Sequence, residues 1–276
     1  MPIQITSLRN PRVKEAAALR EARERRQRQE MIIDGVREIR RACEAGIKLK
    51  EVFFCASLLT SEGKQLLSQV SESETELFEV TSRVFEKLNF GDRQDGIVAV
   101  AATPQRSLAE IEDQTGTALV AILEAIEKPG NLGAIIRTAD GAGLSGVIAA
   151  DLRTDLYNPN TIRASLGTIF SMPVVAMDSR SAREWALARG LQLVAARVEG
   201  TIRYDQVDFT RPTGIVLGNE ATGLTPIWKR ADVLGVRIPM LGQADSLNVS
   251  VAAAILFYEA QRQRGFPIPA RRKRER

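Results

Sequence analysis

The sequence predicts an α/β fold on three grounds. Short continuous apolar runs recur along it, stretches of helix formers separate them, and Pro, Gly and Asn cluster at the exits of runs in the second half. Fully apolar strands that alternate with helices form a parallel sheet covered on both faces. A C-terminal parallel-sheet domain is therefore predicted, preceded by a smaller α/β domain. At 276 residues and 44% hydrophobic content, the chain has material for two cores.

Taken in order, residues 12–28 follow Asn10-Pro11 and are rich in Ala, Glu, Arg and Gln, which predicts a helix. Asp34 is a cap for a second helix through Ala45, stopped by Gly46. Residues 51–56, 77–80 and 96–101 read as strands, with helices over 61–70 and 81–89. The segment 103–107, Thr-Pro-Gln-Arg-Ser, breaks this alternation and opens a polar connector to Gly116. The predicted organisation is a domain over 1–105, a linker over 106–116, a second domain over 117–265 and a basic tail over 266–276. In the second domain, 118–123, 146–150, 173–176, 191–196, 214–217 and 236–239 are predicted strands. Residues 249–257 are apolar on nearly all sides and predict a buried helix.

Composition narrows the chemistry. The chain contains no histidine, so Ser-His and Cys-His nucleophiles are excluded, and Cys43 and Cys55 alone do not make a structural zinc site. No signal peptide is evident, and no apolar run approaches the roughly 20 residues of a membrane span, so a soluble, cytoplasmic protein is expected. The net charge of +4 is unevenly spread. Residues 1–30 hold eight Lys/Arg against four acidic residues, and 261–276 hold seven against Glu275, leaving the middle 230 residues at about −6. Basic arms of this kind attract phosphate without regard to sequence. The alternative reading is a solvated helix face and a tail.

Three segments place polar residues where a core has no need of them. At 129–131, Pro-Gly-Asn makes a sharp exit from a strand, and Asn131 is a cap for a helix whose Leu132, Ile135, Ile136 and Ala139 form a buried stripe. Arg137 lies off that stripe; alone, this reads as a capped crossover with a surface arginine. The second strand exit is Gly218-Asn-Glu-Ala-Thr-Gly223, at the carboxyl end where open α/β sheets bind ligands. Its glycines permit close backbone approach, and Glu220 serves either to bind a ribose or amine or to cap a helix. In the third, Ile238-Pro-Met240 leads through a loop to Ser246-Leu-Asn248 at a helix N-terminus, a surface suited to an anionic or polar ligand. Capping accounts for one of Ser246 and Asn248, not for both with Asp245 beside them. None of the three is a Gly-x-Gly-x-x-Gly or Gly-Lys-Ser/Thr loop, so a dinucleotide or NTP site has no support.

In this order and spacing, the segments resemble the SpoU/TrmH family of RNA ribose 2'-O-methyltransferases in the SPOUT superfamily, over residues 118–262. The motifs are Asn131-Leu-Gly-Ala-Ile-Ile-Arg-Thr138, Leu217-Gly-Asn-Glu220 and Ile238-Pro-Met-Leu-Gly-Gln-Ala-Asp-Ser-Leu-Asn-Val-Ser250. One departure is Ala221, where many members have glycine. Ser7-Leu-Arg-Asn-Pro-Arg-Val-Lys14 and Asp34-Gly-Val-Arg-Glu-Ile39 are similar to the substrate-binding domain of the rRNA-modifying members, which has the fold of ribosomal protein L30e.

The resemblance implies a deep trefoil knot in the C-terminal domain, with S-adenosylmethionine bent inside it. It implies that Gly218, Ile238 and Leu247 contact the donor, with Met240 and Asn248 lining the same pocket. Asn131, Arg137, Glu220, Ser246 and Asn248 match the catalytic polar positions. Arg163, in Ile162-Arg-Ala-Ser-Leu-Gly167, matches a further arginine near RNA or donor, and Arg9, Arg12, Lys14, Arg23 and Arg26 are the candidate RNA contacts of the basic N-terminal region. A homodimer through the knotted domain is implied, each active site completed by its neighbour. The implied substrate is 23S rRNA, with tRNA second and self-protection against a ribosome-targeting antibiotic as a variant role. Methylation of a base nitrogen and RNA binding without turnover are the competing readings. An arginine is a poor base, so Arg137 is assigned orientation of the hydroxyl and stabilisation of the developing oxyanion.

Overall fold

Both groups of apolar runs become sheets in the computed structural model, which describes residues 2–71, 74–90, 95–111 and 117–266. In chain order the first elements are β1 (Ile3–Ile5), α1 (Pro11–Ala18), α2 (Ala22–Arg28), β2 (Glu30–Asp34), α3 (Val36–Glu44), β3 (Leu49–Phe54), α4 (Ser61–Val70), β4 (Glu76–Val80), α5 (Ser82–Leu88) and β5 (Ile97–Ala102). They are followed by β6 (Leu119–Glu124), α6 (Pro129–Gly141), β7 (Gly146–Ala150), α7 (Pro159–Ala164), β8 (Val174–Met177), α8 (Ser179–Ala188), β9 (Gln192–Ala196), β10 (Ile202–Arg203), β11 (Thr213–Leu217), β12 (Val233–Arg237) and α9 (Val249–Gln263). The chain folds into two compact units, Met1–Gln105 with Tyr157–Ser171, and Arg106–Leu156 with Met172–Arg276. The segment carrying α7 thus belongs to the first of these compact units. The basic run Arg271-Arg-Lys-Arg274 and linker residues 112–116 lie outside the described residues.

Among the described residues of the first unit, the sheet order is β1-β4-β3-β5-β2. It is mixed: β4 is parallel to β1 and β3, and β5 is antiparallel to β3 and β2. Phe53 and Phe78 stack in its core with ring centroids 5.0 Å apart. The helix predicted over 12–28 is two helices, because the buried Arg25 turns back to donate to the carbonyls of Leu19 (2.7 Å) and Arg20 (2.6 Å). These are carbonyls that the end of α1 leaves open. Asp34 does not cap α3. Its carboxylate accepts from Phe90 N at 3.0 Å, and Asp95 accepts from Val36 N at 3.3 Å in its place. The α7 segment is locked to α3: Arg41 donates to Leu166 O at 2.7 Å, and Gly167 stands at φ +79°, where a Cβ would lie 3.1 Å from Glu38 Cα.

The second sheet, again among the described residues, has the order β10-β12-β9-β11-β6-β7-β8 and is parallel throughout. All its carboxyl ends therefore lie along one edge. The last strand starts earlier than the predicted 236–239, at Val233, and Ile238-Pro-Met240 has already left the sheet. Helix α9 is not buried all round: Ala253, Leu256 and Phe257 are buried, but Val251 and Tyr258 are each 47% exposed. No helix among the described residues is long and apolar enough to cross a membrane.

One buried acid ties the carboxyl edge together. Glu124 closes β6 at 1% exposure, and its Oε1 accepts from Ser179 Oγ (2.9 Å), Thr225 Oγ1 (2.6 Å) and Trp228 Nε1 (2.8 Å) while Oε2 accepts from Thr225 N (2.7 Å). Removing such an acceptor leaves buried donors unpaired. Glu124→Ala is expected to cost about 3 kcal/mol in urea unfolding followed by circular dichroism. Glu124→Gln, which keeps one oxygen acceptor, is expected to lose less, and a wild-type midpoint for Glu124→Ala would contradict this role.

Candidate active site

The three polar segments meet above the carboxyl ends of β6, β11 and β12. Pro129 takes the first position of α6 and Lys128 its cap, so Asn131 is not the cap that the sequence predicts but the third helical residue, its amide free to bond elsewhere. It does so in both directions. Asn131 Nδ2 donates to Glu220 Oε1, and Asn131 Oδ1 accepts from Asn248 Nδ2 at 3.3 Å. Asn248 is the cap of α9, and its Oδ1 accepts from Ser250 N at 2.9 Å and from Ser250 Oγ at 2.6 Å. A hydrogen-bonded chain thus runs from Glu220 through Asn131 to Asn248, taking one side chain from each segment. Glu220 does not cap a helix: the chain after it closes a bridge between Asn219 and Gly223.

The turn 218–224 is shaped by its backbone. A Cβ on Gly218 would lie 2.7 Å from Gly223 C and 2.8 Å from Gly223 O, and Gly223 itself stands at φ +67°. Asn219, to which the sequence assigns no role, is 4% exposed and organises the turn. Its Nδ2 donates to Ala125 O at 3.0 Å, and its Oδ1 accepts from Ala221 N (2.8 Å) and Thr222 N (3.1 Å). The available signal was a short amide directly after a strand, which bonds to backbone two residues on.

A cleft of about 730 Å³ opens beside this turn, lined by Gly218, Glu220, Ile238, Met240, Ser246 and Leu247 among others. That volume is within the usual range for small-molecule sites. Asn131, Arg137 and Asn248 are not part of its lining. Arg137 is exposed on α6 and has no side-chain partner among the described residues, and Ser246 is exposed at the cleft.

The candidate RNA contacts divide. Arg9, Lys14, Arg23 and Arg26 are exposed. Arg12 is engaged with Glu51 at 2.5 Å and Glu76 at 3.3 Å, and the hydrogen bond to Glu51 raises its affinity for its proton. Arg163 lies in the first unit, not at the cleft, and donates to Phe90 O at 3.2 Å.

Because the clash at Gly218 is with backbone, a Cβ there displaces the turn. Gly218→Ala is expected to weaken binding of S-adenosylmethionine, the donor that the resemblance implies, at least tenfold by calorimetry, about 1.4 kcal/mol, while far-UV circular dichroism stays native. Unchanged affinity would show that the turn does not touch the ligand.

Comparison with known proteins places the chain in a family. Residues 118–258 match the model of the SpoU rRNA Methylase family, and residues 10–99 match the MRM3-like substrate binding domain. The 23S rRNA (uridine(2479)-2'-O)-methyltransferase of Streptomyces viridochromogenes is 34% identical, over 95% of this chain and 92% of that one. The 23S rRNA (guanosine(2553)-2'-O)-methyltransferase RlmP of Bacillus subtilis is 29% identical, over 92% and 98%. The crystal structure of the SpoU methyltransferase AviRb from Streptomyces viridochromogenes in complex with AdoMet is similar at TM-score 0.85 and 32% identity, over 93% of this chain and 98% of that one. With its catalytic half matched by the family model and nearly its whole length matched by such a relative, the chain belongs to the SpoU rRNA methylase family.

Proposed function

We propose that the protein is an S-adenosylmethionine-dependent methyltransferase acting on a ribose 2'-hydroxyl of 23S rRNA. The observation that carries this reading is the Glu220–Asn131–Asn248 chain beside a cleft lined in part by the bare backbone of Gly218 and Gly223. The residues suit the donor: Ile238, Met240 and Leu247 offer apolar surface to an adenine and a thioether chain, and Gly218 lets the ligand approach the backbone. When bound, S-adenosylmethionine supplies a methyl group carried on a sulfonium.

The protein's own contribution is alignment. The guanidinium of Arg137, which carries only donors, donates to the ribose oxygen and stabilises the charge that develops there. Asn131 and Asn248 fix the start of α6 and the start of α9 to Glu220, which keeps the polar groups of three loops in one arrangement. Ser246 at the cleft is assigned to the same polar set.

Near full-length similarity to two methylases named for 23S rRNA supports that substrate over tRNA. Those two act on a uridine and a guanosine, so the shared chemistry is that of the ribose. Residues 1–105 are assigned to binding RNA, through exposed Arg9, Lys14, Arg23 and Arg26, and 117–265 to catalysis, with 106–116 as linker. A cytoplasmic location follows from an rRNA substrate. The chain from β12 back to α9, which returns to α6 where Gln261 donates to Ala142 O at 2.6 Å, is consistent with a knot threaded around the 218–224 turn. Val251 and Tyr258, with Ile255 between them, make one exposed apolar face on α9 that suits a second copy of the chain.

Two measurements test this reading. Mapping 2'-O-methyl groups in cells with and without the protein is expected to find one 23S rRNA site lost, whereas intact rRNA with altered tRNA would overturn the substrate. Arg137→Lys is expected to lower kcat about 10²-fold with donor affinity unchanged, and near-normal turnover would remove the role given to the planar guanidinium. For the dimer, Val251→Asp is expected to halve the mass seen by light scattering, and a monomeric wild-type protein would rule the dimer out.

A further inference from the structure

The cleft carries a group of charged residues that none of the three motifs accounts for. Arg197 directly follows β9 and lines the cleft together with Glu199 and Lys229. Lys229 is matched, its Nζ 3.2 Å from Glu199. Arg197 is not. Its side chain makes no hydrogen bond or salt bridge among the described residues, and its Nε is buried without a partner. Arg25 and Arg264, by contrast, each donate to backbone carbonyls, at 2.6 Å to Arg20 O and 2.7 Å to Phe209 O respectively.

The fold nevertheless provides a seat for this guanidinium. A Cβ on Gly235, in the interior of β12, would overlap Nη2 of Arg197 and lie 2.5 Å from its Cζ and 2.6 Å from its Nε. The group rests on bare strand backbone, and any other residue at 235 pushes it away. Glycine inside a strand is unfavourable in itself and marks a close approach. The base of the side chain is held as well, with Arg197 N donating to Val236 O at 2.8 Å and Gly200 N donating to Arg197 O at 3.1 Å. Its charge reaches its neighbour: the Glu199 carboxyl is held below its ordinary range by its own backbone N–H, then by Lys229, with Arg197 adding to them.

A half-buried guanidinium, fixed by packing and short of acceptors, offers a planar fork of donors that matches a carboxylate or a phosphate. We propose that Arg197, seated on Gly235, is an oxyanion-recognising residue of the cleft, receiving either the amino-acid carboxylate of the methyl donor or a phosphodiester of bound RNA. This rests on the cleft being the donor site, as proposed above.

Wild-type protein, Arg197→Gln and Gly235→Ala separate the possibilities. Gly235→Ala keeps the charge but displaces it, because the atom in its way is the end of a flexible side chain. Calorimetry compares S-adenosylhomocysteine with 5'-methylthioadenosine, which keeps the nucleoside and thioether but lacks the amino-acid carboxylate. Filter binding measures affinity for a 23S rRNA transcript across a potassium chloride series. If the carboxylate is the partner, both variants bind S-adenosylhomocysteine about tenfold more weakly and methylthioadenosine as wild type does. If a phosphate is the partner, both nucleosides bind normally, while RNA affinity falls and its salt slope becomes shallower by about one. Equal weakening of the two nucleosides, a loss confined to Arg197→Gln, or no change in any measurement overturns the proposal. Wild-type protein that binds neither nucleoside overturns the assignment of the cleft instead.

Discussion

Glu124 ends β6 with its carboxylate inside the protein, where four donors from Ser179, Thr225 and Trp228 surround it. A carboxylate left alone at that depth would cost several kcal/mol, so the segments carrying those donors are drawn to the end of the strand. One consequence concerns the turn at 218–224. Its exit, Thr225, is bound to Glu124, and its entrance, Asn219, is bound to the carbonyl of Ala125, the very next residue. Ala125 itself stands at φ +53° and is held there by donating to Ala150 O at 2.9 Å. The turn is therefore clamped at both ends on two adjacent residues, the last of β6 and the one that follows it, and its interior has little freedom left.

That clamp makes the polar chain useful. Glu220 is exposed and rides on the turn, so without the clamp its contact with Asn131 would order a long side chain at an entropic cost and add little. With the turn already fixed, the same contact joins two elements whose positions are set independently, and Asn248 adds the third. A protein without histidine has few means of moving protons near neutral pH. Methyl transfer that depends on alignment asks for rigid loops and charges held in place, and the bonds made by Asn219 and Glu124 hold the 218–224 turn in place here.

Much of this was legible in the sequence, for identifiable reasons. Continuous apolar runs such as 119–123 and 214–217 are strands in a two-sided parallel sheet, and they stand out because nothing polar interrupts them. Elements set by distant partners were hidden. Strand β2 follows directly on a helix-forming stretch, and only its antiparallel pairing with β5 defines it. Asn131 reads as a cap until Pro129 is given the first helical position, and Asp34 reads as a cap until Phe90 is brought to it. The exposed Val251 and Tyr258 on α9 follow the same apolar pattern as a buried face, so periodicity does not distinguish the two. Asn219 and Gly235 each left a faint local trace, a short amide after a strand and a glycine inside one, whose meaning depends on Ala125 and Arg197 being nearby.

Charge is where counting residues misleads most. Of the basic residues in the first thirty, Arg12, Arg20, Arg25 and Arg28 are committed within the first unit, to Glu51, Asn89 O, Leu19 O and Glu30 respectively. Burial also makes the Arg20 guanidinium easier to deprotonate than usual, although it sits over the Phe90 ring. These four hold α1, α2 and the sheet together and have little charge to offer a polyanion. Arg9, Lys14, Arg23 and Arg26 are exposed and unpaired among the described residues, so the arm presents about half of its formal charge to solvent. The same sorting, applied at the cleft, separates Lys229, neutralised by Glu199, from Arg197, which the fold holds in place without giving it a partner. An arginine kept in position by packing but not by acceptors has its hydrogen-bonding capacity left for something that binds.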